Sequence, residues 1–219
     1  MFQGESPVNF EQKCLCVLVV DISSSMAGEP ITELNRGLQD FKNDIQEDYV
    51  ATQRLEIAII TFNSSVTCIQ EPANIENILM PTLRASGSTK MVDGIRMAIE
   101  LVDERKKWYL STGQNYFRPM IVLITDGEPD PDQEIIGLST EISHRLDSKS
   151  FIFYCLGVSG YNHEKLTLLC SRPEPLPLVG LKFSEFFRWL SNSIGIIAKS
   201  VEGETLRLPS PSEWTQLEM

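Results

Sequence analysis

The stretch Lys13-Cys14-Leu15-Cys16-Val17-Leu18-Val19-Val20, followed at once by Asp21-Ile22-Ser23-Ser24-Ser25-Met26, decides how the 219 residues fold. An unbroken apolar run rich in Val and Leu that stops at a polar loop is the pattern of a strand buried on both faces of a parallel sheet. Downstream, Ile31, Leu34, Leu38, Phe41 and Ile45 recur at three and four residues, the stripe of an amphipathic helix whose first turn accommodates Pro30. Strand, polar loop and helix form one unit.

That unit repeats along the chain. Leu55 to Phe62 reads as the next strand, and Val66 to Ile69, after Asn63, Ser64 and Ser65, reads as its hairpin partner and hence as an antiparallel edge. A second long helix begins near Thr89 with the stripe Val92, Ile95, Ile99 and Val102; Gly94 in its interior implies close packing against a neighbour. Met120 to Ile124 is the most apolar strand and ends at Thr125, Asp126 and Gly127. Asp130, Pro131 and Gln133 have capping-box spacing ahead of the stripe Ile135, Leu138, Ile142, Leu146. Phe151 to Val158 is a further strand, followed by a short helix over His163 to Leu169. A Pro-rich connection from Pro173 to Pro177 holds a brief strand near Leu176 to Val179, and a last helix is striped by Phe183, Phe186, Phe187, Leu190, Ile194 and Ile197.

Strands alternating with helices predict an α/β fold: a doubly wound, mainly parallel six-stranded sheet with one antiparallel edge strand and helices on both faces. The expected organisation is an N-terminal extension over 1–12, one domain over 13–200 and a C-terminal tail over 201–219. The tail carries Pro209, Pro211 and Trp214 and is expected to be mobile. Trp108, Tyr109, Tyr116 and Phe117 are read as lying in the connection before the central strand, closing a core edge.

Composition narrows the function. The chain has 19 Lys and Arg against 30 Asp and Glu, a formal charge of −11, and no basic run, which argues against nucleic acid or an anionic membrane as partner and suits a cation site. Met1 to Phe10 is polar, with neither a basic start nor an apolar stretch, so a cytoplasmic protein is expected. The five cysteines fit that expectation as reduced core thiols; Cys14 and Cys16 are assigned to opposite faces of their strand, giving no redox or zinc pair. His144 and His163 lie far apart, and each is read as solvated or capping.

In doubly wound sheets ligands sit outside the carboxyl ends of the strands, where strand order reverses. Three loops at such ends carry small oxygen donors: Asp21, Ser23 and Ser25 after the first strand, Thr89 before the second long helix, and Asp126 after the central strand. Two carboxylates and three hydroxyls suit a hard cation such as magnesium, with manganese or calcium as other candidates. The hydroxyls add no charge, so the ion keeps positive charge for an outside anion. Glu29, Glu128, Asp130 and Asp132 flank this set and are read as helix-dipole complements.

Asp21-Ile22-Ser23-Ser24-Ser25, Thr89 in Gly87-Ser88-Thr89, and Thr125-Asp126-Gly127 resemble the metal-ion-dependent adhesion site of von Willebrand factor type A domains. The likeness covers the whole domain, with all five ligand positions filled in the expected order. Ser24 departs from it, standing where family members commonly have glycine. Gly28-Glu29-Pro30, Phe117-Arg118-Pro119 and Asp126-Gly127-Glu128-Pro129 are similar to the bacterial tellurite-resistance TerY type. The resemblance implies that Ser23 and Ser25 bind the ion directly, that Asp21 and Asp126 act mostly through water, and that Thr89 does either. It also implies that a protein partner, in a class including protein kinases and phosphatases, supplies the last ligand from an Asp or Glu.

Two other classes compete with this recognition module. A magnesium-dependent phosphohydrolase of the haloacid-dehalogenase kind needs a second Asp as general acid where Ser23 stands. An architectural subunit would use the ion only to stabilise its loops. A nucleotide-cradling GxxxxGK(S/T) loop does not occur in the sequence.

Overall fold

The computed structural model describes residues 2, 5–127, 129–131, 133–158, 160–170, 172–200 and 208–211. Six strands form one sheet: β1 (Cys14–Asp21), β2 (Leu55–Phe62), β3 (Val66–Asn74), β4 (Met120–Thr125), β5 (Ile152–Val158) and β6 (Leu176–Leu178), in the order β3-β2-β1-β4-β5-β6. Only β3 runs antiparallel, on β2 at one edge. The sheet class, its edge and its strand count are those expected from the alternating pattern.

Parity along β1 divides the core. Cys14, Cys16, Leu18 and Val20 pack on one side with α1 (Glu29–Gln46), α2 (Tyr49–Arg54) and α6 (Phe183–Lys199). Leu15, Val17 and Val19 pack on the other with α3 (Met91–Ser111), α4 (Ile135–Asp147) and α5 (His163–Leu169). The assignment of Cys14 and Cys16 to opposite faces is therefore corrected: a strand has a period of two, so residues two apart share a face. All five cysteines are unpaired, and four are buried.

Glycines set two close approaches. A Cβ on Gly37 of α1 would stand 2.7 Å from the Phe187 ring, and one on Gly94 of α3 would stand 3.0 Å from the Phe62 ring. The close packing expected at Gly94 is the approach of α3 to β2.

Several local readings change. α2 has no counterpart in the periodicity because its six residues are too few to show a stripe; the Asp48 carboxylate starts it by accepting from the amides of Val50 and Ala51. β3 extends to Asn74, well beyond Ile69. Trp108 and Tyr109 belong to the last turns of α3 rather than to the following connection. There the Glu56 carboxylate meets Arg105 through paired bonds of 2.8 and 2.9 Å and Tyr109 Oη at 2.6 Å, all three side chains buried. Arg105 also bonds Glu5 at 2.8 Å, which ties the N-terminal segment to the amino end of the sheet. At the other terminus Leu208 packs on the core and the Trp189 indole donates to the Pro209 carbonyl at 2.8 Å, so this part of the tail lies on the domain. Trp214 lies outside the described residues. No described helix is long and apolar enough to cross a membrane.

Candidate metal centre

Strand order reverses between β1 and β4, whose register pairs Val20 with Ile124. Asp21 and Thr125, the next residues, end the two strands side by side. Both follow the parity of Val19 and Leu123, so both side chains leave the sheet on the α3 face. Thr125 Oγ1 donates to Asp21 Oδ2 at 2.6 Å, and the Ser23 amide donates to Asp21 Oδ1 at 2.8 Å. The fully buried carboxylate is thereby held on both oxygens.

After Asp21 the chain enters a short 3-10 turn over Ser24–Met26. Ser23 is buried and Ser25 exposed; their hydroxyls lie 2.9 Å apart, and Ser25 Oγ donates to Asp126 Oδ1 at 2.8 Å. Ser24 is not among the described non-glycine residues with positive φ, which are Lys149 and Leu181, so a side chain is accommodated where family members favour glycine.

Thr89 is brought to the same place by its loop. The Ser86 amide donates to the Ile22 carbonyl at 2.7 Å and the Ser24 amide to the Gly87 carbonyl at 3.0 Å, lacing the loop to the end of β1. Gly87 makes this path possible: its φ is +83°, and a Cβ there would lie 2.5 Å from Ser64 Oγ. On the other side, a Cβ on Gly127 would stand 3.7 Å from Asp21 Oδ2, 3.7 Å from Thr89 Cγ2 and 3.8 Å from Ser25 Oγ, so three of the expected residues converge around one glycine.

All five expected residues therefore gather at the strand-order reversal, with the first and third loops joined directly by hydrogen bonds. Sequence reasoning quoted Thr125 and Gly127 with Asp126 in the motif and gave neither a role. The Thr125 signal was available as parity, since it ends the strand neighbouring Asp21 on the same face. Glu29 is exposed and Asp130 bonds the Thr89 backbone, whereas Glu128 and Asp132 lie outside the described residues.

Burial disfavours negative charge at the cluster. Burial pushes the Asp21 carboxyl up to about 6, against the hydrogen bonds from Ser23 and Thr125 that favour its anion, and Asp126 adds repulsion. Burial also raises Asp126 above the usual carboxylate range. Among the described residues neither carboxylate forms an ion pair. The donors are oxygen throughout, without imidazole or thiolate, and a divalent ion is the group whose charge such a set would accommodate.

The model of the von Willebrand factor type A domain family matches residues 16–184. No curated protein matches the sequence. Among solved structures, the pilus adhesin SpaC from Lactobacillus rhamnosus GG superposes with a TM-score of 0.67 at 15% identity, over 88% of this chain and 32% of that one. The PilB minor pilin from Streptococcus sanguinis superposes at 0.61 and 14% identity, over 87% of this chain and 63% of that one. The ArnB paralog VWA2 from Sulfolobus acidocaldarius superposes at 0.55 and 16% identity, over 86% and 47%. The chain thus spans less than two thirds of each of these structures. The extent of the family match, and the fold it shares with these structures, lead to one conclusion: the chain belongs to the von Willebrand factor type A domain family.

Proposed function

We propose that this domain is a metal-ion-dependent protein-recognition module. Asp21, Ser23, Ser25, Thr89 and Asp126 hold a divalent cation, magnesium in the first instance, and a carboxylate from a protein partner completes its coordination. The observation that carries the reading is the convergence of the Ser23, Ser25 and Thr125 hydroxyls with the Asp21 and Asp126 carboxylates at the strand-order reversal, Thr89 standing beside them, with no cationic side chain paired to either acid among the described residues. The hydroxyl ligands add no charge to the ion, and the exposed Ser25 keeps one side of the site open to solvent, where an acidic side chain can approach.

The reading is non-enzymatic. Ser23 stands where a haloacid-dehalogenase-type enzyme needs a carboxylic general acid, and a serine hydroxyl, bonded here to Ser25, is too weak an acid for that part. The five unpaired cysteines support a cytoplasmic setting, and the TerY-like segments support an adaptor role beside a protein kinase or phosphatase in a bacterial stress response.

The test is capture of binding proteins by wild type, Ser23→Ala and Asp126→Ala, each in magnesium and in EDTA, together with calorimetric titration of magnesium. Capture of a partner by wild type in magnesium alone is the expected result. A captured set that is the same for all three proteins and in both buffers overturns the reading.

A further inference from the structure

We propose that Asp130 and Gln133 are positioning residues for this site: together they clasp the Thr89 loop to the Asp126 loop and so set where the Thr89 hydroxyl stands. The inference rests on the metal reading and deepens it by naming what governs one of its ligands.

Spacing assigns Asp130 and Gln133 to the start of the helix that follows them. In the structure α4 begins later, at Ile135, with Glu134 as its cap, and the side chains of Asp130 and Gln133 bond to the Thr89 loop and the start of α3. Asp130 Oδ1 accepts from the Thr89 amide at 3.1 Å, while the Asp130 amide donates to the Thr89 carbonyl at 3.0 Å. One residue thereby holds both backbone groups of Thr89. Gln133 Oε1 accepts from the amides of Val92 and Asp93 at 2.9 and 3.3 Å, and its Nε2 donates to Asp93 Oδ2 at 3.2 Å. The N-cap of α3, Lys90, makes no side-chain cap bond, so Gln133 supplies from a distant loop the acceptor that α3 lacks locally.

These contacts have a geometric consequence. Thr89 lies between Asp130, which fixes its backbone, and Gly127, where a Cβ would stand in ordinary contact with its methyl group at 3.7 Å. A neutral hydroxyl is a weak ligand, and its contribution depends on being held in place before the ion arrives. Outer residues that orient ligands typically govern metal affinity by about 10- to 100-fold. The clasp joins the second and third loops as Ser25 and Asp126 join the first and third, which closes the ring of contacts around the site.

Magnesium titration calorimetry on wild type, Asp130→Ala, Asp130→Asn, Thr89→Ala and the double variant Asp130→Ala/Thr89→Ala tests the proposal, with urea unfolding run in parallel. Asp130→Ala is expected to weaken magnesium binding by about 10- to 100-fold. Asp130→Asn keeps an acceptor for the Thr89 amide and is expected to bind within a few-fold of wild type, and the Ala change adds no further loss once Thr89 is already Ala. Gln133→Ala loosens the second point of the clasp; it is expected to weaken binding in the same direction and serves where Asp130→Ala does not fold. Unchanged affinity in Asp130→Ala, or an equal loss with and without the Thr89 hydroxyl, overturns the clasp while leaving the metal reading intact. A wild-type protein that takes up no magnesium overturns both.

Discussion

The hydroxyl of Thr125 and the carboxylate of Asp21 meet at 2.6 Å across the boundary between β1 and β4, where strand order reverses. The pair brings the ends of β1 and β4 together and supplies one of the hydrogen bonds that favour an ionised carboxylate in a buried place.

Thr125→Val keeps the shape and removes the donor, leaving Asp21 Oδ2 without this partner. The loss is expected to destabilise the fold by about 1–3 kcal/mol at neutral pH. Thr125→Ser restores the donor and most of the stability. Urea unfolding of the three proteins in EDTA provides the measurement; equal midpoints for wild type and the Val variant would remove the bond's energetic role.

A ligand that binds only the folded state raises stability by mass action. Magnesium at a hundredfold excess over its Kd is expected to add about 2.7 kcal/mol, which is about 5–10 °C in Tm for a domain of this size. Ser25→Ala, lacking a hydroxyl that touches Asp126, is expected to lose most of that shift. Calorimetric melts in magnesium and in EDTA decide it, and identical melting of wild type in both would count against a bound ion.

Much of this arrangement could be read in the residues. β2 was legible to its end residues because six of the eight positions from Leu55 to Phe62 are apolar, and α6 because its apolar stripe, aromatic at the start and aliphatic from Leu190, runs from Phe183 to Ile197. The five oxygen donors were legible because each stands at the end of a recognisable element. Asp130 and Gln133 were not: capping-box spacing is a local signal, and their partners lie about forty residues upstream. Glu56, Arg105 and Tyr109 were hidden for the same reason. A buried ion pair leaves no trace in periodicity, and Glu56 and Arg105 in isolation read as surface charges.

That buried group gives a prediction at the opposite end of the sheet. Glu56→Ala leaves Arg105, 2% exposed, without its bidentate partner and strips Tyr109 of its acceptor. Removing one member of such a pair is expected to cost about 3–5 kcal/mol. Glu56→Gln retains shape and one acceptor and is expected to cost less. Chemical denaturation compares them; a loss in Glu56→Ala of the size seen for exposed ion pairs, below about 1 kcal/mol, would contradict the account.

Gly87 and Gly113 separate strain from collision. Both have positive φ, +83° and +72°, but a Cβ on Gly113 would meet nothing within 4 Å, whereas one on Gly87 would meet Ser64 Oγ at 2.5 Å. Gly113→Ala is expected to cost the conformational penalty alone, about 1–2 kcal/mol. Gly87→Ala is expected to cost more and also to weaken magnesium binding, because its loop carries Thr89. Equal stability loss in the two variants, with magnesium affinity unchanged, would show that the Ser64 contact places no constraint on the loop.

The buried thiols are expected to limit the fold at alkaline pH. Burial pushes Cys14 and Cys170 up to about 12, from an ordinary value of 9.0, and raises Cys16 and Cys155 as well. A group whose folded-state pKa lies above its unfolded value holds its proton in the native state while the unfolded chain releases it. Its stabilisation is therefore complete below pH 9 and is lost as the pH rises toward the folded value. Each such thiol costs about 1.4 kcal/mol per pH unit within that window. Tyr109, also raised by burial, acts in the same direction, whereas Lys13, lowered by burial, opposes them. Under reducing conditions the unfolding free energy is expected to be nearly flat from pH 7 to 8.5 and to fall steeply between pH 9 and 10.5. Cys14→Ala/Cys16→Ala should show a shallower decline from a somewhat lower starting stability, because two of the five raised thiols, a set that includes Cys68, are gone. Urea unfolding across that range reads the slope, and a double variant that declines as steeply as wild type would mean that the β1 thiols do not control it.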